Sequence, residues 1–363
     1  MAEASNHGDI LESLRVLALG NAVAVRGAAW WLADSGADVA MHRPEWSPPP
    51  AGSSEAIFEH QISRRWRAAD LPNESAFDVI VTDTTAKTEV LVDVPDRLTS
   101  DAIVIEITSP LPASTDFEAA LQADMTLYAR SGLGYLTREI GDDWELGIAC
   151  LPISRQVSLL AGMAAATAAV TASIGRLVGR GPKHVAIDQL ELLALTPMQP
   201  IAFAQLDGRI GGRERGTGKF PGGTVPTRNG MAYIRPVEPA HWATLLRLIG
   251  ELDWAADEVE ANPTVLRESG VAIDTRLRAW ALEFTSEEVA DLCQAEHVPV
   301  APVYRADQVV DDIHLRHRRF IREGGDPGLN LPMLSSVGPH ASSATPPAPG
   351  RPIRPARTKS LPL

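Results

Sequence analysis

Glycine-rich and basic segments are the first places in this sequence where chemistry is expected. Six glycines fall within the thirteen residues 211–223. A phosphate-binding P-loop needs a Gly five residues before its second Gly and a Ser or Thr after its Lys. Neither is present, because Arg213 stands at the first position and Phe220 follows Lys219. The segment is therefore predicted to be a flexible connection between two parts of the chain.

A basic run with one aromatic residue follows a Pro-rich break in the N-terminal part. It contains Arg64, Arg65 and Arg67 around Trp66. Such a run is either a solvated segment or a contact for an anionic group. The two cysteines, Cys150 and Cys293, have no metal-ligand spacing, so we expect buried thiols in a reducing compartment and no metal site.

Length and charge set the broad class of the protein. The chain has 363 residues, of which 45% are hydrophobic, and a net charge of -13 with a pI near 5.2. This acidic balance argues against a nucleic-acid binder, which needs clustered Lys and Arg. No secretory signal is visible at the N-terminus, so a cytoplasmic protein is expected.

The elements that must position any site begin with a strand, helix, strand unit. Residues 14–19 form an apolar run, a helical pattern covers about 25–35, and a second apolar run covers 38–41. This order builds parallel sheets. The turn at 20–27 is not G-x-G-x-x-G, so an NAD site is not expected. Residues 77–82 and 102–107 are predicted to be further strands, the second one buried.

An Ala-rich stretch is predicted to be the organising helix of the chain. Residues 156–176 contain no acidic residue and consist mainly of Ala, Leu, Val and Met. Its polar residues, including Ser158, Thr167 and Thr171, favour a buried helix over a membrane span. A Gly-rich turn at 179–182 ends it, 185–187 is expected to be a short buried strand, and a helix is expected to start at Asp188.

These elements and residues resemble the family III CoA-transferases, which include formyl-CoA transferase and the 2-methylacyl-CoA racemases. The opening LRVLALG and LADSGADV, the sequence Ser158, Gly162, Ala164–Ala172 and Arg176, and the Val-Pro-x-x-Pro-Val pattern at 298–303 carry the resemblance. The resemblance implies a Rossmann-like, doubly wound α/β large domain, a smaller inserted α+β domain and an interlocked dimer. Ser158 stands where the family carries its catalytic Asp.

The resemblance also implies a binding site for coenzyme A or an acyl-CoA as substrate. Residues assigned to it by position are Arg43, Arg64, Arg65, Asp70, Leu71, Asp83, Gly222 and Gly223. Asp83 stands where the family has an Asn, and a carboxylate beside a polyanion is unfavourable. The Gly-rich segment gains a second interpretation as a mobile lid over intermediates.

Two residues are assigned to catalysis by the resemblance, Ser158 and Glu238. Glu238 lies in a Glu-Pro motif like that of the racemases, although a glutamate there also complements a helix dipole. A serine hydroxyl needs a base to act as a nucleophile, and no His of this segment is available. The nearest acidic residues in sequence are Asp188 and Glu191. At the racemase His position, residues 122–124 read Gln-Ala-Asp and contain no His.

Three functions follow from the resemblance. The first is an acyl-CoA:carboxylate CoA-transferase. The second is a catalytically silent acyl-CoA-binding subunit, or the partner of an active paralogue in a heterodimer. The third is a racemase-like isomerase. A small-molecule acyl-CoA is the expected ligand in each case, with no nucleic acid and no membrane as partner.

The domain order expected from the sequence is a large domain interrupted by a small one. Residues 1–205 form the first part of the large domain and 206–300 the small domain. Residues 301–338 return to the large domain. The Pro-rich residues 339–363 are predicted to be a disordered tail.

Overall fold

A computed structural model of the protein describes residues 11–43, 56, 58–59, 67–68, 77–83, 101–111, 117–137, 155–208, 221–250, 253–259, 262, 264–318, 321–326 and 331–336. By compactness the chain divides into two units. The first unit comprises residues 1–213 and 319–363, and the second comprises residues 214–318. The expected tail at 339–363 lies outside the described residues.

A six-stranded parallel sheet forms the centre of the first unit. Its strands are β1 (Arg15–Leu19), β2 (Asp38–His42), β3 (Arg67–Ala68), β4 (Val79–Asp83), β5 (Ile103–Thr108) and β6 (His184–Asp188). Their order is β3-β2-β1-β4-β5-β6, and all adjacent pairs are parallel. This is the Rossmann-type order, in which the direction of winding reverses between β1 and β4. The strands predicted at 14–19, 38–41, 77–82 and 102–107 are confirmed to within two residues.

Side chains on both faces of the parallel sheet are buried. Val16 and Ala18 pair in register with Val79 and Val81, and they share one core with the helices described below. Leu17, the intervening residue, is also fully buried. Strands buried on both sides need almost continuous apolar residues, which is the pattern that their sequences show.

Six helices of the first unit lie between or after these strands in the described part of the chain. They are α1 (Val23–Asp34), α2 (Phe117–Arg130), α3 (Leu133–Leu136), α4 (Gln156–Leu177), α5 (Gln189–Ala194) and α6 (Met198–Asp207). The predicted Ala-rich helix is α4. It packs along α1 and the sheet through its Ala side chains, which are among the buried residues of this core.

Close packing between α1 and α4 depends on glycine. A Cβ on Gly162 would lie 2.6 Å from the carbonyl oxygen of Ala24 and 2.8 Å from the amide nitrogen of Ala28. Small side chains along α4 therefore let the two helix backbones approach each other directly. The helix is long and apolar enough to cross a membrane by length and composition, with a mean hydropathy of 1.8 in its most apolar window. One face of the helix packs against α1 and the sheet, and 44% of that window is buried.

Strand β6 differs in one respect from its prediction. The strand forms where expected, but its residues are half-buried or exposed rather than buried. The physical reason is its place at the end of the sheet, where β5 is its one partner among the described strands. Asp188 caps the following helix, as the sequence predicts, by accepting hydrogen bonds from the amides of Leu190 and Glu191 at 2.9 and 3.0 Å.

The second unit has its own antiparallel sheet and core. Its elements are β7 (Gly223–Pro226), β8 (Met231–Ile234), α7 (Pro239–Ile249), α8 (Asp253–Val259), α9 (Val265–Glu268), α10 (Gly270–Ala281), α11 (Ser286–Ala295), β9 (Val300–Val303), α12 (Ala306–Val309) and α13 (Ile313–His317). The sheet order is β7-β8-β9. Residues 301–318, assigned by sequence to the returning large domain, lie in this unit instead, because β9 pairs with β8 and completes its sheet.

The described chain ends in a hairpin of the first unit. Strands β10 (Ile321–Asp326) and β11 (Leu331–Ser336) pair in antiparallel fashion. In the second unit, Cys293 is fully buried, and desolvation raises the pKa of its thiol to about 12. This confirms the predicted buried thiol at that position, while Cys150 lies outside the described residues.

Candidate functional site

The carboxyl edge of the parallel sheet brings several predicted site residues together. Asn21 follows β1, Arg43 follows β2, and Asp83 ends β4. In sheets of this strand order, ligands bind outside the carboxyl ends of the strands, where the direction of winding reverses. That point lies between β1 and β4, so Asn21 and Asp83 flank it.

Arg43 links the ends of neighbouring strands through polar contacts. Its Nε donates to Asn21 Oδ1 at 2.9 Å, and its Nη1 donates to Glu59 Oε2 at 2.8 Å. Glu59 also forms an ion pair with Arg26, a buried residue in the first turn of α1. One buried carboxylate thus holds two arginines from different elements at this edge.

A second arginine pair surrounds an aromatic ring. The guanidinium of Arg26 lies 5.7 Å from the ring centroid of Phe58, and that of Arg155 lies 5.4 Å from it. Both distances are typical of cation–π contacts. Arg155 is buried and immediately precedes α4. The ring of Phe58 therefore connects the start of α1 with the start of α4.

The direction of α4 places its first turn at this same edge. A short turn joins the end of α4 to the beginning of β6, so the helix runs antiparallel to the strands. Its N-terminus must then point toward their carboxyl ends. Ser158 is in the first turn, where backbone N–H groups have no partner within the helix.

The buried carboxylate of Asp124, on α2, accepts hydrogen bonds from the hydroxyl and the backbone N–H of Ser158. Ser158 Oγ donates to Asp124 Oδ1 at 2.5 Å, and Ser158 N–H donates to Asp124 Oδ2 at 3.2 Å. Asp124 is 3% exposed and Ser158 is 8% exposed. Both oxygens of the carboxylate are thus held by one residue, and the short Oγ contact is of the charge-assisted kind.

Burial and hydrogen bonding shift the pKa of Asp124 in opposite directions. Desolvation raises the pKa of this carboxyl group and is the dominant cause. The two hydrogen bonds from Ser158 and the positive charge of Arg155 lower the pKa but do not cancel that effect. The result is a carboxylate that is more basic than an exposed one, in an environment that excludes water.

Apolar packing fixes the helices that carry the pair. Leu127 on α2, Val157 on α4 and Leu193 on α5 form one buried cluster. Leu127 lies one turn after Asp124 and Val157 lies beside Ser158, so this contact sets the spacing of the two polar groups. The helices that carry Asp124 and Ser158 are therefore held together by this cluster.

The structure brings three of the predicted site residues to one edge of the sheet, and three others belong to the second unit. Arg43 and Asp83 lie at the carboxyl edge, and Ser158 is in the first turn of the helix whose N-terminus points toward that edge. Glu238, Gly222 and Gly223 belong to the second unit. The remaining four predicted residues, Arg64, Arg65, Asp70 and Leu71, lie outside the described residues.

In the second unit, the local backbone structure accounts for the residue types at Gly222, Gly223 and Glu238. Gly222 and Gly223 have φ angles of 97° and 85°, which favour glycine. Gly222 N–H donates to Asp274 Oδ1 at 3.4 Å. Glu238 is an exposed N-cap residue of α7 without a side-chain capping hydrogen bond, and Pro239 follows it at the first helical position. The predicted Asn229-Gly230 turn joins β7 to β8.

Sequence reasoning missed Asp124. It lies 34 residues before Ser158. The resemblance predicts a His near residues 122–124, and these residues contain none. The nearest acidic residues in sequence were poor guides, because Asp188 caps α5 and also accepts a hydrogen bond from Thr108 at 3.1 Å. The available signal was only that an Asp stands at residue 124, within the segment where the family resemblance places a catalytic group.

Among the described residues, no group of three or more His, Cys, Asp or Glu side chains is arranged to hold a metal ion. The polar groups at the edge form ion pairs and hydrogen bonds with one another instead. The chemistry that this arrangement offers is that of a buried carboxylate, a hydroxyl group and surrounding guanidinium groups. Acyl transfer through a carboxylate or hydroxyl nucleophile is within the reach of these groups.

Solved structures with the same architecture support this view of the fold. The protein Rv3272 from M. tuberculosis aligns with a TM-score of 0.69 over 96% of this chain and 97% of its own, at 18% identity. A CAIB/BAIF family protein from Brucella suis aligns with a TM-score of 0.64 over 92% and 96% of the two chains, at 19% identity. This chain therefore shares the α/β fold of these two proteins.

Sequence comparison then identifies the family. The family described as CoA-transferase family III matches residues 118–357, more than half of the chain. This protein belongs to CoA-transferase family III. The match includes both Asp124 and Ser158.

Curated relatives are similar over a shorter region. A succinyl-CoA:mesaconate CoA-transferase of Haloarcula hispanica is 28% identical over 132 residues, which is 36% of this chain and 32% of that protein. A succinyl-CoA--D-citramalate CoA-transferase of Chloroflexus aurantiacus is 28% identical over 148 residues, 39% of this chain and 36% of that protein. The chain spans about a third of the length of the curated relatives it matches.

Proposed function

We propose that this protein is an acyl-CoA:carboxylate CoA-transferase that moves CoA from an acyl-CoA to a second carboxylic acid. The observation that carries the proposal is the buried Asp124–Ser158 pair. It supplies a carboxylate at the helix turn where the family's Asp is expected and where this sequence has Ser158. Position 158 itself has no carboxylate, but Asp124 places one beside it.

Charge at the carboxyl edge suits anionic substrates. Arg26, Arg43 and Arg155 are grouped there around Glu59 and Phe58. Guanidinium groups at an edge that binds nucleotides in related folds raise the local concentration of an anionic thioester and of a carboxylate acceptor. Asp83 opposes this effect in part, so we expect CoA binding to be weaker than an Asn at that position would give.

The substrate class is proposed from the relatives. Their names describe transfer of CoA from succinyl-CoA to mesaconate or D-citramalate. Each of these acids keeps a free carboxylate while its other carboxyl group carries CoA. We therefore propose short dicarboxylic acids as donor and acceptor.

A homodimer with interlocked chains is proposed as the working form. Large apolar side chains are exposed on and beside α6, with Met198 at 67% and Leu206 at 82% exposure. Exposed apolar groups on one helix favour contact with another chain. In light scattering, Leu206→Glu should reduce the mass to that of a monomer, whereas Ile313→Glu, an equally exposed control in the second unit, should not.

Cytoplasmic localisation is proposed with this function. CoA thioesters are cytoplasmic metabolites, and Cys293 is a free thiol. Cell fractionation with antibody detection would show the protein in the soluble fraction. Recovery in the membrane fraction would contradict the proposal.

A catalytically silent acyl-CoA-binding subunit is the second candidate. Ser158 in place of the family Asp favours it, as does Asp83. A heterodimer with an active paralogue is the corresponding assembly. A racemase-like isomerase is the third candidate, but residues 122–124, where a His is expected, contain none.

The test separates these candidates in one assay. Purified protein is mixed with succinyl-CoA and either mesaconate or D-citramalate, and new CoA thioesters are separated by chromatography. Formation of the acceptor's thioester supports the transferase. Binding of CoA in calorimetry without any exchange would support the silent subunit, and epimerisation of a 2-methylacyl-CoA would support the isomerase.

A further inference from the structure

The Asp124–Ser158 pair contains two possible nucleophiles, and their geometry distinguishes them. The Ser158 hydroxyl donates its hydrogen to Asp124 Oδ1 at 2.5 Å. To attack a thioester, Ser158 would have to transfer this proton to a carboxylate, which is a far weaker base than an alkoxide. Asp124 already has the electron pair that the reaction needs, so no proton has to move.

The product of each attack also differs in acyl-transfer potential. A serine ester is more stable toward acyl transfer than a thioester, so an acyl group on Ser158 would not return readily to CoA. An anhydride formed on a carboxylate is at least as reactive as a thioester. A reversible exchange of CoA between two acids therefore requires the carboxylate rather than the hydroxyl as the acyl carrier.

We infer that Asp124, presented from α2, is the nucleophilic carboxylate of this chain and that Ser158 is a positioning residue. The inference rests on the proposed transferase function. Oδ2 is the attacking oxygen, because it receives only the longer hydrogen bond, 3.2 Å from Ser158 N–H. Oδ1 continues to accept the hydrogen bond from the Ser158 hydroxyl.

The steps balance with the substrates alone. Asp124 Oδ2 attacks the thioester carbon, the C–S bond breaks, and CoA leaves as a thiolate from a mixed anhydride. The thiolate then attacks the Asp124 carboxyl carbon, releasing the donor acid as its carboxylate and leaving CoA as a thioester on Asp124. A second carboxylate reverses both steps, which forms the new acyl-CoA and regenerates Asp124.

Ser158 has a defined part in the second step. When the thiolate attacks the Asp124 carboxyl carbon, negative charge develops on Oδ1. The Ser158 hydroxyl already points its hydrogen at this atom, so it stabilises the charge without rearrangement. The burial of the pair also limits access of water, which would hydrolyse the anhydride.

The experiment uses the full chain and locates the covalent intermediate. Trypsin cleavage after Arg97, Arg130, Arg155 and Arg176 places Asp124 and Ser158 on separate peptides, 98–130 and 156–176. Protein incubated with succinyl-CoA is treated with sodium borohydride, which reduces a thioester on an Asp side chain to a primary alcohol. We expect this change at Asp124 by tandem mass spectrometry, and none in 156–176.

Two variants define the roles. Asp124→Asn should abolish both the reduced peptide and CoA exchange. Ser158→Ala should keep the reduced peptide while kcat falls about 100-fold, the order found when one oxyanion donor is removed. Exchange at the wild-type rate in Asp124→Asn, or an acyl group found on Ser158, would overturn the inference while leaving the transferase function intact.

Failure of the proposed function gives a different result. In that case, wild-type protein shows neither exchange with any acceptor nor a modified peptide, and both proposals fall together. Because the mapping is done on wild-type protein, it does not depend on the folding of a variant. Borohydride-treated protein without succinyl-CoA is the control for unspecific reduction.

Discussion

Replacing Ser158 with Ala should destabilise the protein in a way that depends on pH. The change removes the 2.5 Å bond from Oγ to Asp124 but leaves the backbone N–H bond at 3.2 Å. A hydrogen bond to a charged group contributes about 1.5–3 kcal/mol. The better helix propensity of Ala returns about 0.5 kcal/mol. The expected net loss at neutral pH is therefore about 1–2.5 kcal/mol.

The sign of the pH dependence follows from the pKa of Asp124. Burial raises the pKa of this carboxyl in the folded protein, and the Ser158 hydrogen bond opposes that shift. Without the bond, the folded-state pKa rises further. A raised carboxyl pKa costs stability as pH rises through it, so the deficit of the variant should grow with pH. Below the pKa of Asp124, only a hydrogen bond of about 1 kcal/mol to a neutral group is lost.

The assay must report on the first unit alone, because two units need not unfold together. Hydrogen exchange in peptides from α2 and α4 along a urea series, repeated at several pH values, gives the local free energy of unfolding. Ser173→Ala is the matched control on the same helix. Its hydroxyl donates to the carbonyl of Ala169 at 2.7 Å, so its effect should be small and independent of pH. An equal loss at every pH for Ser158→Ala would refute the reasoning.

Two further predictions concern the packing around the site, and a third concerns the core of the second unit. Gly162→Ala should cost about 1–2 kcal/mol in urea unfolding, since its Cβ would overlap backbone atoms of α1. Gly27→Ala on the facing helix should be nearly neutral, because its Cβ would meet a movable Leu159 side chain at 3.3 Å and backbone atoms only at ordinary contact distances of 3.7 and 3.8 Å. Glu59→Gln should cost about 3 kcal/mol, seen as a lower thermal midpoint, because two buried guanidinium groups lose their shared carboxylate; a change under about 1 kcal/mol would contradict this. In a Cys150→Ser background, the thiol of Cys293 should react with a disulfide reagent at pH 7.5 only as fast as the second unit opens, since burial raises its pKa to about 12; rapid reaction in native buffer would disprove that.

Much of the fold could be predicted from the sequence, because apolar runs and glycine stops are local signals. The run at 14–19 and the Ala-rich stretch at 156–176 gave their elements almost to the residue. The burial of β6 could not be predicted in this way. Apolar residues at 185–187 indicate a strand, but only the sheet order shows that it lies at the end of the sheet.

The site was less accessible to sequence reasoning, because its parts come from distant segments. Ser158 was found through a motif, but its partner Asp124 depends on the packing of α2 against α4, which no local pattern encodes. Arg43 was predicted as a ligand contact, and the structure adds that Glu59 and Asn21 hold it. Glu238 carried a motif as well, and the structure shows it as an exposed N-cap residue of α7.

The carboxylate and its hydrogen-bond donors belong to two different helices, and this has an evolutionary consequence. In a relative with Asp at the position of Ser158, one helix supplies the carboxylate by itself. Here the function is shared, so a change at either position alone removes it. Residues 124 and 158 should therefore vary together across homologues, with an acid retained at one of the two and a small hydroxyl residue at 158 wherever 124 supplies the acid.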